Sequence, residues 1–324
     1  MELLTMAKRS SKKDALLAEV ATLLPGYPLA YPDGREIYHS EEQAELLLRS
    51  IKSGFKDPKK VKPPKEETDT QIDKRIKSKF ETIEIMVDGS LRGDHPALVI
   101  SGPGGLGKSY TVETALMNYD PMGDKTSITK GIVTPVGLYK ALWDHRHPGQ
   151  VLVLDDADNI FFNENALNLL KAVCDTKRQR PVSYLSESVF VSEKTAETIP
   201  KRFIFEGTVI FITNHDFDEM IESGSRLAAH MEALMSRAHY VDCGMKNRRD
   251  YMVRVRQLFK AGMLDEYLTD KKAQEEVVEF MSANVDKLRE VTARMAGKLA
   301  GLRKSHGKDW ERFAAETNFT TKAQ

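Results

Sequence analysis

The chain has 324 residues, 41% of them hydrophobic, and its 48 basic and 48 acidic side chains give a formal net charge of zero. That length predicts roughly two domains with a real core, and the balanced charge excludes wholesale disorder and a strongly basic nucleic-acid coat. Two cysteines, Cys174 and Cys243, exclude a disulfide framework or a cysteine zinc set. Neither has a Cys or His at ligand spacing, so both read as small buried hydrophobes in a reduced, intracellular protein. No apolar run of signal-peptide length follows Lys8, Arg9, Lys12 and Lys13, and nowhere do about 18 uncharged apolar residues occur together. A soluble, cytoplasmic chain without a membrane span is therefore expected.

In chain order, one helix is predicted around Ala15–Leu24, then a turn-rich stretch through Pro25, Pro28 and Pro32, then a helix opened by Ser40 and running through Ala44–Ile51. Residues 52 to 65 mix Pro58, Pro63 and Pro64 with six lysines, a composition that resists packing and marks a linker. Residues 1–67 thus form an N-terminal helical region and linker. From Thr70 a helix runs through Val87, after which β-branched runs alternate with helical stretches: Ala97–Ser101, a helix after Lys108, Pro135–Trp143, Val151–Leu154, Ala166–Thr176 and Thr208–Thr213. Such alternation means a parallel sheet covered by helices. After Gly244 the strands stop, and Arg248–Phe259, Lys271–Met281 and Val285–Lys304 read as helices, the last closed at His306-Gly307. The expected organisation is a nucleotide-binding domain at 68–243, a helical domain at 244–318 and a tail at 319–324.

The predicted strand Leu98-Val99-Ile100-Ser101 leads into Gly102-Pro103-Gly104-Gly105-Leu106-Gly107-Lys108-Ser109, a complete G-x-x-x-x-G-K-S before a helix. The glycines let successive N–H groups turn inward around a polyphosphate, and the helix start adds its positive dipole end. Lys108 reaches the outer phosphates and the Ser109 hydroxyl ligates Mg²⁺. Gly102, Gly104, Gly105, Leu106, Gly107, Lys108, Ser109 and the following Tyr110 make up the expected nucleotide-binding set. A second signal is Val151-Leu152-Val153-Leu154-Asp155-Asp156, an apolar run too short for a helix that ends in two acids, as a buried parallel strand delivering charge to the upper sheet edge would. Asp155 would hold Mg²⁺ through its water shell with Ser109, and Asp156 would polarise the attacking water.

On these motifs, and over roughly residues 71 to 306, the chain resembles the AAA+ ATPases. The resemblance implies an α/β fold, namely a P-loop NTPase αβα sandwich with a parallel sheet followed by a small α-helical lid domain. It also implies ATP and Mg²⁺ as cofactors. Thr208–Thr213 followed by Asn214 looks like the sensor-1 strand, with Asn214 between the acids and the γ-phosphate. Ala233-Leu234-Met235-Ser236-Arg237 is similar to the element that supplies an arginine finger to a neighbouring subunit in clamp-loader-like members, which makes a homo-oligomeric ring, expected as a hexamer, part of the mechanism. Thr292-Ala293-Arg294 and the residues after it favour Arg294 as the sensor-2 arginine, although helical phase alone leaves Arg289 open. The segment from Lys130 to Tyr139, with Val153–Asp158, looks most like ATPases of tailed bacteriophages. Two departures stand out: Asp156 replaces the usual glutamate, and the excess length at 183–205 suggests a hairpin insertion on the assembly face.

For the substrate, Tyr139 and Trp143 read as core packing rather than a base-stacking pair. The loop Thr129–Val133 is the better contact, through Lys130 to a phosphate backbone or through Ile132 to an apolar side chain. The lysines of residues 52–65 would add a salt-sensitive nucleic-acid contact. A ring acting on nucleic acid in phage DNA metabolism is the leading expectation. A protein-remodelling machine is the alternative, and a small-molecule kinase or non-hydrolysing switch is opposed by Asn214, Arg237 and the helical lid.

Overall fold

The computed structural model describes residues 15–23, 48, 67–224 and 226–320. It divides into two compact units, residues 1–66 and 67–324. In the first unit residues 15–23 are helical with Val20 buried; the expected helix at 44–51, apart from Leu48, and the lysine-rich stretch at 52–65 lie outside the described residues.

The second unit opens with α1 (Asp69–Arg92), whose start is fixed by a capping box: Thr68 accepts from the Gln71 amide while the Gln71 side chain returns to the Thr68 amide. Then follow β1 (Ala97–Ser101), α2 (Lys108–Tyr119), β2 (Thr126–Lys130), α3 (Pro135–Asp144), β3 (Val151–Asp155), α4 (Glu164–Val173), the short strands β4 (Arg180–Ser183), β5 (Phe190–Val191), β6 (Thr198–Ile199) and β7 (Arg202–Phe205), and β8 (Thr208–Thr213). Two short helices, α5 (Phe217–Glu222) and α6 (Ala228–Met235), lead to β9 (His239–Asp242). The chain finishes in α7 (Arg248–Lys260), α8 (Lys271–Ala283), α9 (Ala293–His306) and α10 (Trp310–Asn318).

Five strands form a wholly parallel sheet in the order β2-β3-β8-β1-β9. Its central strands are buried on both faces, which is why they read as unbroken apolar runs. Successive side chains divide between two layers. Leu98, Ile100, Val151, Val153, Ile210 and Ile212 pack against α1 and α2, while Val99, Leu152, Leu154, Val209 and Phe211 pack against α3, α4 and α6. This is the αβα sandwich of a P-loop NTPase. The C-terminal helices have their own core around Met252, Val277, Met281, Met295, Leu299 and Trp310.

Three features refine or correct the expectation. The edge strands β2 and β9 were not legible: neither has a buried residue, because each pairs on one side only. The hairpin insertion expected at 183–205 is present and starts earlier, at Arg180, as two antiparallel pairs, β4 with β7 and β5 with β6. The helix expected at Val285–Lys304 begins only at Ala293. Thr292 is held extended and its hydroxyl accepts from the Met295 amide at 3.1 Å, so it caps the helix. The residues before it pair with the C-terminal segment instead: the Arg289 amide donates to Asn318 O at 2.9 Å and the Thr320 amide to Lys287 O at 2.8 Å. Leu288 and Val291 are still buried, so the apolar stripe was real but belongs partly to irregular chain.

Tyr139 and Trp143 pack on Phe203, as core residues do. Cys174 and Cys243 are buried free thiols, and burial pushes them up to about 12 and about 11. At the root of the inserted strands Arg180 is also buried, and burial lowers its pKa. Its guanidinium donates to Phe205 O at 3.2 Å, Val173 O at 2.7 Å and Gly207 O at 2.5 Å. Glu206 and Gly207 join β7 to β8, and there the Glu206 amide donates to Arg146 O at 2.8 Å, while a Cβ on Gly207 would lie 2.0 Å from His145 O. Arg180→Met would leave three carbonyls without that donor and should lower stability by on the order of 3 kcal/mol, read as a reduced midpoint in urea unfolding.

Candidate functional site

At the carboxyl end of β1 the chain turns through Gly102–Gly107 before α2 begins. Gly105 has φ +75°, and a Cβ there would lie 2.7 Å from the Thr292 Cβ, so only glycine passes beneath the helical domain at this point. The Ala293 amide donates to Gly105 O at 3.0 Å and fixes that approach. Among the described residues no acceptor takes the N–H groups of Gly104, Gly105, Leu106 or Gly107, and α2 starts without a side-chain cap. Free amides at a helix start suit an anion with several oxygens.

Lys108 is buried beneath this loop. Its ammonium donates to the carbonyls of Gly102 and Pro103, the latter at 2.9 Å, and to Asn214 Oδ1 at 3.2 Å. Burial lowers its pKa, and the charges of Asp156 and Asp155 oppose that shift. Asn214 Nδ2 in turn donates to Asp156 Oδ1 at 2.8 Å, so one hydrogen-bonded chain links the loop lysine to the second acid. The topology dictates this arrangement, since β8 lies between β1 and β3 and its end brings Asn214 between the loop and the acids. Asp156 itself sits at φ +52°, with its amide donating to Ile212 O at 3.0 Å. A left-handed residue directly after a strand breaks the alternation, and the two adjacent acids part: Asp155 is buried and Asp156 is exposed.

The Asp155 Oδ1 accepts from the Ser109 hydroxyl at 3.0 Å. Its Oδ2 lies 3.1 Å from the Lys130 ammonium, which also bonds Glu113 Oε1 at 2.8 Å. The hydrogen bond to Glu113 and that to Asp155 both raise the lysine's pKa. Lys130 therefore ends strand β2 tied to two acids, and its expected place in an open substrate-contacting loop is corrected; Ile132 is 88% exposed. A serine hydroxyl with a buried carboxylate is a hard oxygen donor pair of the kind Mg²⁺ takes, with water and phosphate oxygens completing its shell. Among the described residues no group of three or more His, Cys, Asp or Glu side chains forms a metal cage of protein alone.

The first turn of α9 brings Arg294 to the loop: its Nη1 lies 3.6 Å from the position of a Cβ on Gly104. Arg289 precedes that helix, and its Nε donates to Phe319 O at 3.0 Å. The structure thus separates the two arginines that helical phase left equivalent. Gly104 to Tyr110, Asp156, Asn214 and Arg294 line one cavity of about 210 Å³. Gly102 lies outside its lining, with Cys243 against its Cα. Arg237 does not line it either; its Nη1 folds back onto Ala233 O at 2.6 Å where α6 ends.

Sequence reasoning missed two residues here, Arg254 against the loop and Glu113 beside the metal-ligand pair. Arg254 on α7 donates from Nε to Leu106 O at 3.0 Å and lies 3.2 Å above the Phe80 ring, and burial brings its pKa down to about 10. Its signal was a single arginine inside Met252-Val253-Arg254-Val255. Glu113 follows Ser109 by four residues on α2 and so shares its face.

No family model matches the chain. It is 35% identical over 257 residues, 78% of this chain and 76% of the relative, to the uncharacterized 36.7 kDa protein in the nrdC-mobD intergenic region of Enterobacteria phage T4. Among solved structures, NtrX from Brucella abortus in complex with ADP is similar at 14% identity and a TM-score of 0.44, and its complex with ATP at 13% and 0.41. Each of these covers 84% of this chain, which spans 58% of the NtrX chain.

Proposed function

We infer that this chain, which belongs to the family of the 36.7 kDa nrdC-mobD intergenic protein of Enterobacteria phage T4, binds ATP with Mg²⁺ and hydrolyses it as an AAA+ ATPase. The observation that carries the reading is the bonded chain Lys108–Asn214–Asp156 running beside four free loop amides. A phosphate-binding loop alone would serve a kinase or a passive nucleotide switch. An amide side chain that joins the phosphate-binding lysine to an exposed carboxylate is suited to orienting a water for in-line attack.

In this reading the amides of Gly104–Gly107 hold the β- and γ-phosphates, and Lys108 exchanges its carbonyl partners for phosphate oxygens. Ser109 and Asp155 would hold Mg²⁺, which when bound supplies charge neutralisation across the outer phosphates. Asp156 accepts a hydrogen bond from the water, Asn214 fixes the orientation of that carboxylate, and Arg294 adds a guanidinium from the helical domain. Tyr110, 64% exposed at the cavity rim, is placed to border the nucleoside. Lys108→Ala should lose ATP binding, measured by equilibrium dialysis, whereas Asp156→Asn should keep binding and stop turnover. Normal hydrolysis by the Asp156→Asn protein would move water activation to another residue.

We further propose a homo-oligomeric ring, hexameric by resemblance, in which Arg237 serves the neighbouring subunit's ATP. Its absence from the cavity of its own chain supports that role. An arginine finger elsewhere contributes ~10³–10⁵ in rate. Arg237→Ala should therefore bind ATP without hydrolysing it, and doping it into the wild type should depress activity more than dilution does. Loss in simple proportion would place the arginine outside a shared site.

The leading substrate is nucleic acid, which the lysines at 52–65 support, in phage DNA metabolism in the cytoplasm of a bacterial host, a setting that the phage relative supports. No described helix is long and apolar enough to cross a membrane. One observation favours polypeptide threading as a second reading: Lys130 is engaged with acids while Ile132 is exposed. ATPase rates with DNA, RNA and unfolded protein at two salt concentrations decide between them. Nucleic acid should stimulate at low salt and lose its effect steeply as salt rises, and stimulation by protein alone would select the second reading.

A further inference from the structure

Lys130 ends β2, Asp155 ends β3, and the parallel register sets the two side by side. The ammonium lies 3.1 Å from Asp155 Oδ2 and 2.8 Å from Glu113 Oε1. The aspartate side chain is only 4% exposed, while those of the lysine and glutamate are 56% and 41% exposed. The other aspartate oxygen is taken by Ser109. Both oxygens of the carboxylate to which the proposed function gives the metal are thus engaged, one of them by a full positive charge.

A buried carboxylate without a partner is costly, and Lys130 removes that cost when no metal is bound. The same ammonium then opposes a divalent ion at the same oxygen, because two cations a few ångströms apart repel strongly in a partly desolvated site. The lysine has a second acid within reach. Glu113 stands four residues after Ser109 on one face of α2, so it borders the metal ligands without being one of them.

We propose that Lys130 is a positioning residue, an internal counter-ion that holds the Asp155 carboxylate in the metal-free protein and cedes it to the metal by moving wholly onto Glu113. Metal entry is then an exchange of one cation for another, and Glu113 sets how readily the exchange runs. This inference rests on the ATPase reading for the identity of the metal and for the role of Asp155. It concerns binding, and it is tested without turnover.

The experiment follows the anisotropy of a fluorescent ADP derivative on the full chain while free Mg²⁺ is stepped from EDTA upward. With a half-exposed ion pair at stake, Lys130→Met should lower the Mg²⁺ midpoint about threefold, and Glu113→Gln should raise it by about the same factor. Lys130→Arg keeps the charge and should keep the wild-type midpoint. The double variant is decisive: if Glu113 acts by receiving the lysine, Lys130→Met/Glu113→Gln matches Lys130→Met alone. Shifts that simply add would reduce both residues to a general field and overturn the exchange, as would an unmoved midpoint in Lys130→Met with wild-type thermal melting. Nucleotide binding by the wild type that ignores Mg²⁺ would overturn the exchange and leave ATP binding standing. Failure of the wild type to bind nucleotide at any Mg²⁺ concentration would overturn both.

Discussion

Four residues that line one cavity, Gly104 to Gly107, carry backbone N–H groups with no acceptor among the described residues. Leu106 is buried and the three glycines are half-buried, and a chain free to move would twist to pair such amides. Its surroundings forbid this. β1 fixes one end of the loop, α2 the other, and from above Thr292, Ala293 and Arg254 hold Gly105 and Leu106 in place. The remaining site residues are arranged around that restraint. Lys108 bonds the loop carbonyls from below, Asn214 bonds Lys108, and Asp156 accepts from Asn214.

The helical domain is therefore part of the cradle. Thr292 is at once the N-cap of α9 and the residue that makes glycine obligatory at 105. Arg254 stacks on Phe80 of α1 while donating to the loop, so three separate elements meet over one peptide group. Shortening α9 to begin at Ala293 has a functional result as well: it puts Arg294 in the first turn, next to the loop, and leaves Arg289 to tie down the C-terminal segment.

Much of this was legible in the amino-acid order, for physical reasons. A strand buried on both faces must be apolar throughout, so β1, β3 and β8 announced themselves, and the polar residues at their ends could be assigned to the sheet edge. Asp155 and Asp156 were found in this way, and Asn214 through the resemblance of its strand to the sensor-1 strand. The edge strand Thr126–Lys130 was hidden because half of its surface meets water and its residues are mostly hydroxylic. Lys130 was misplaced as a consequence: read as loop, it looked free for a substrate, and only the register of β2 against β3 brings it to Asp155. At 285–292 the apolar spacing fits a helix, but the hydroxyl of Thr292 satisfies the amide of Met295 and begins the helix there. Local capping outweighed periodicity. Arg237 was reached through the family resemblance, and in its own chain it ends α6 bonded back to Ala233 O.

The joint between the inserted strands and β8 has a mechanical consequence. Arg180 clamps Gly207 from one side, the His145 carbonyl blocks any bulk from the other, and the Glu206 and Thr208 amides are each tied to a neighbouring chain segment. Such a junction is a weld, not a hinge. Through these bonds a load on the excursion at 180–205 would reach β8, the strand that ends beside Asn214.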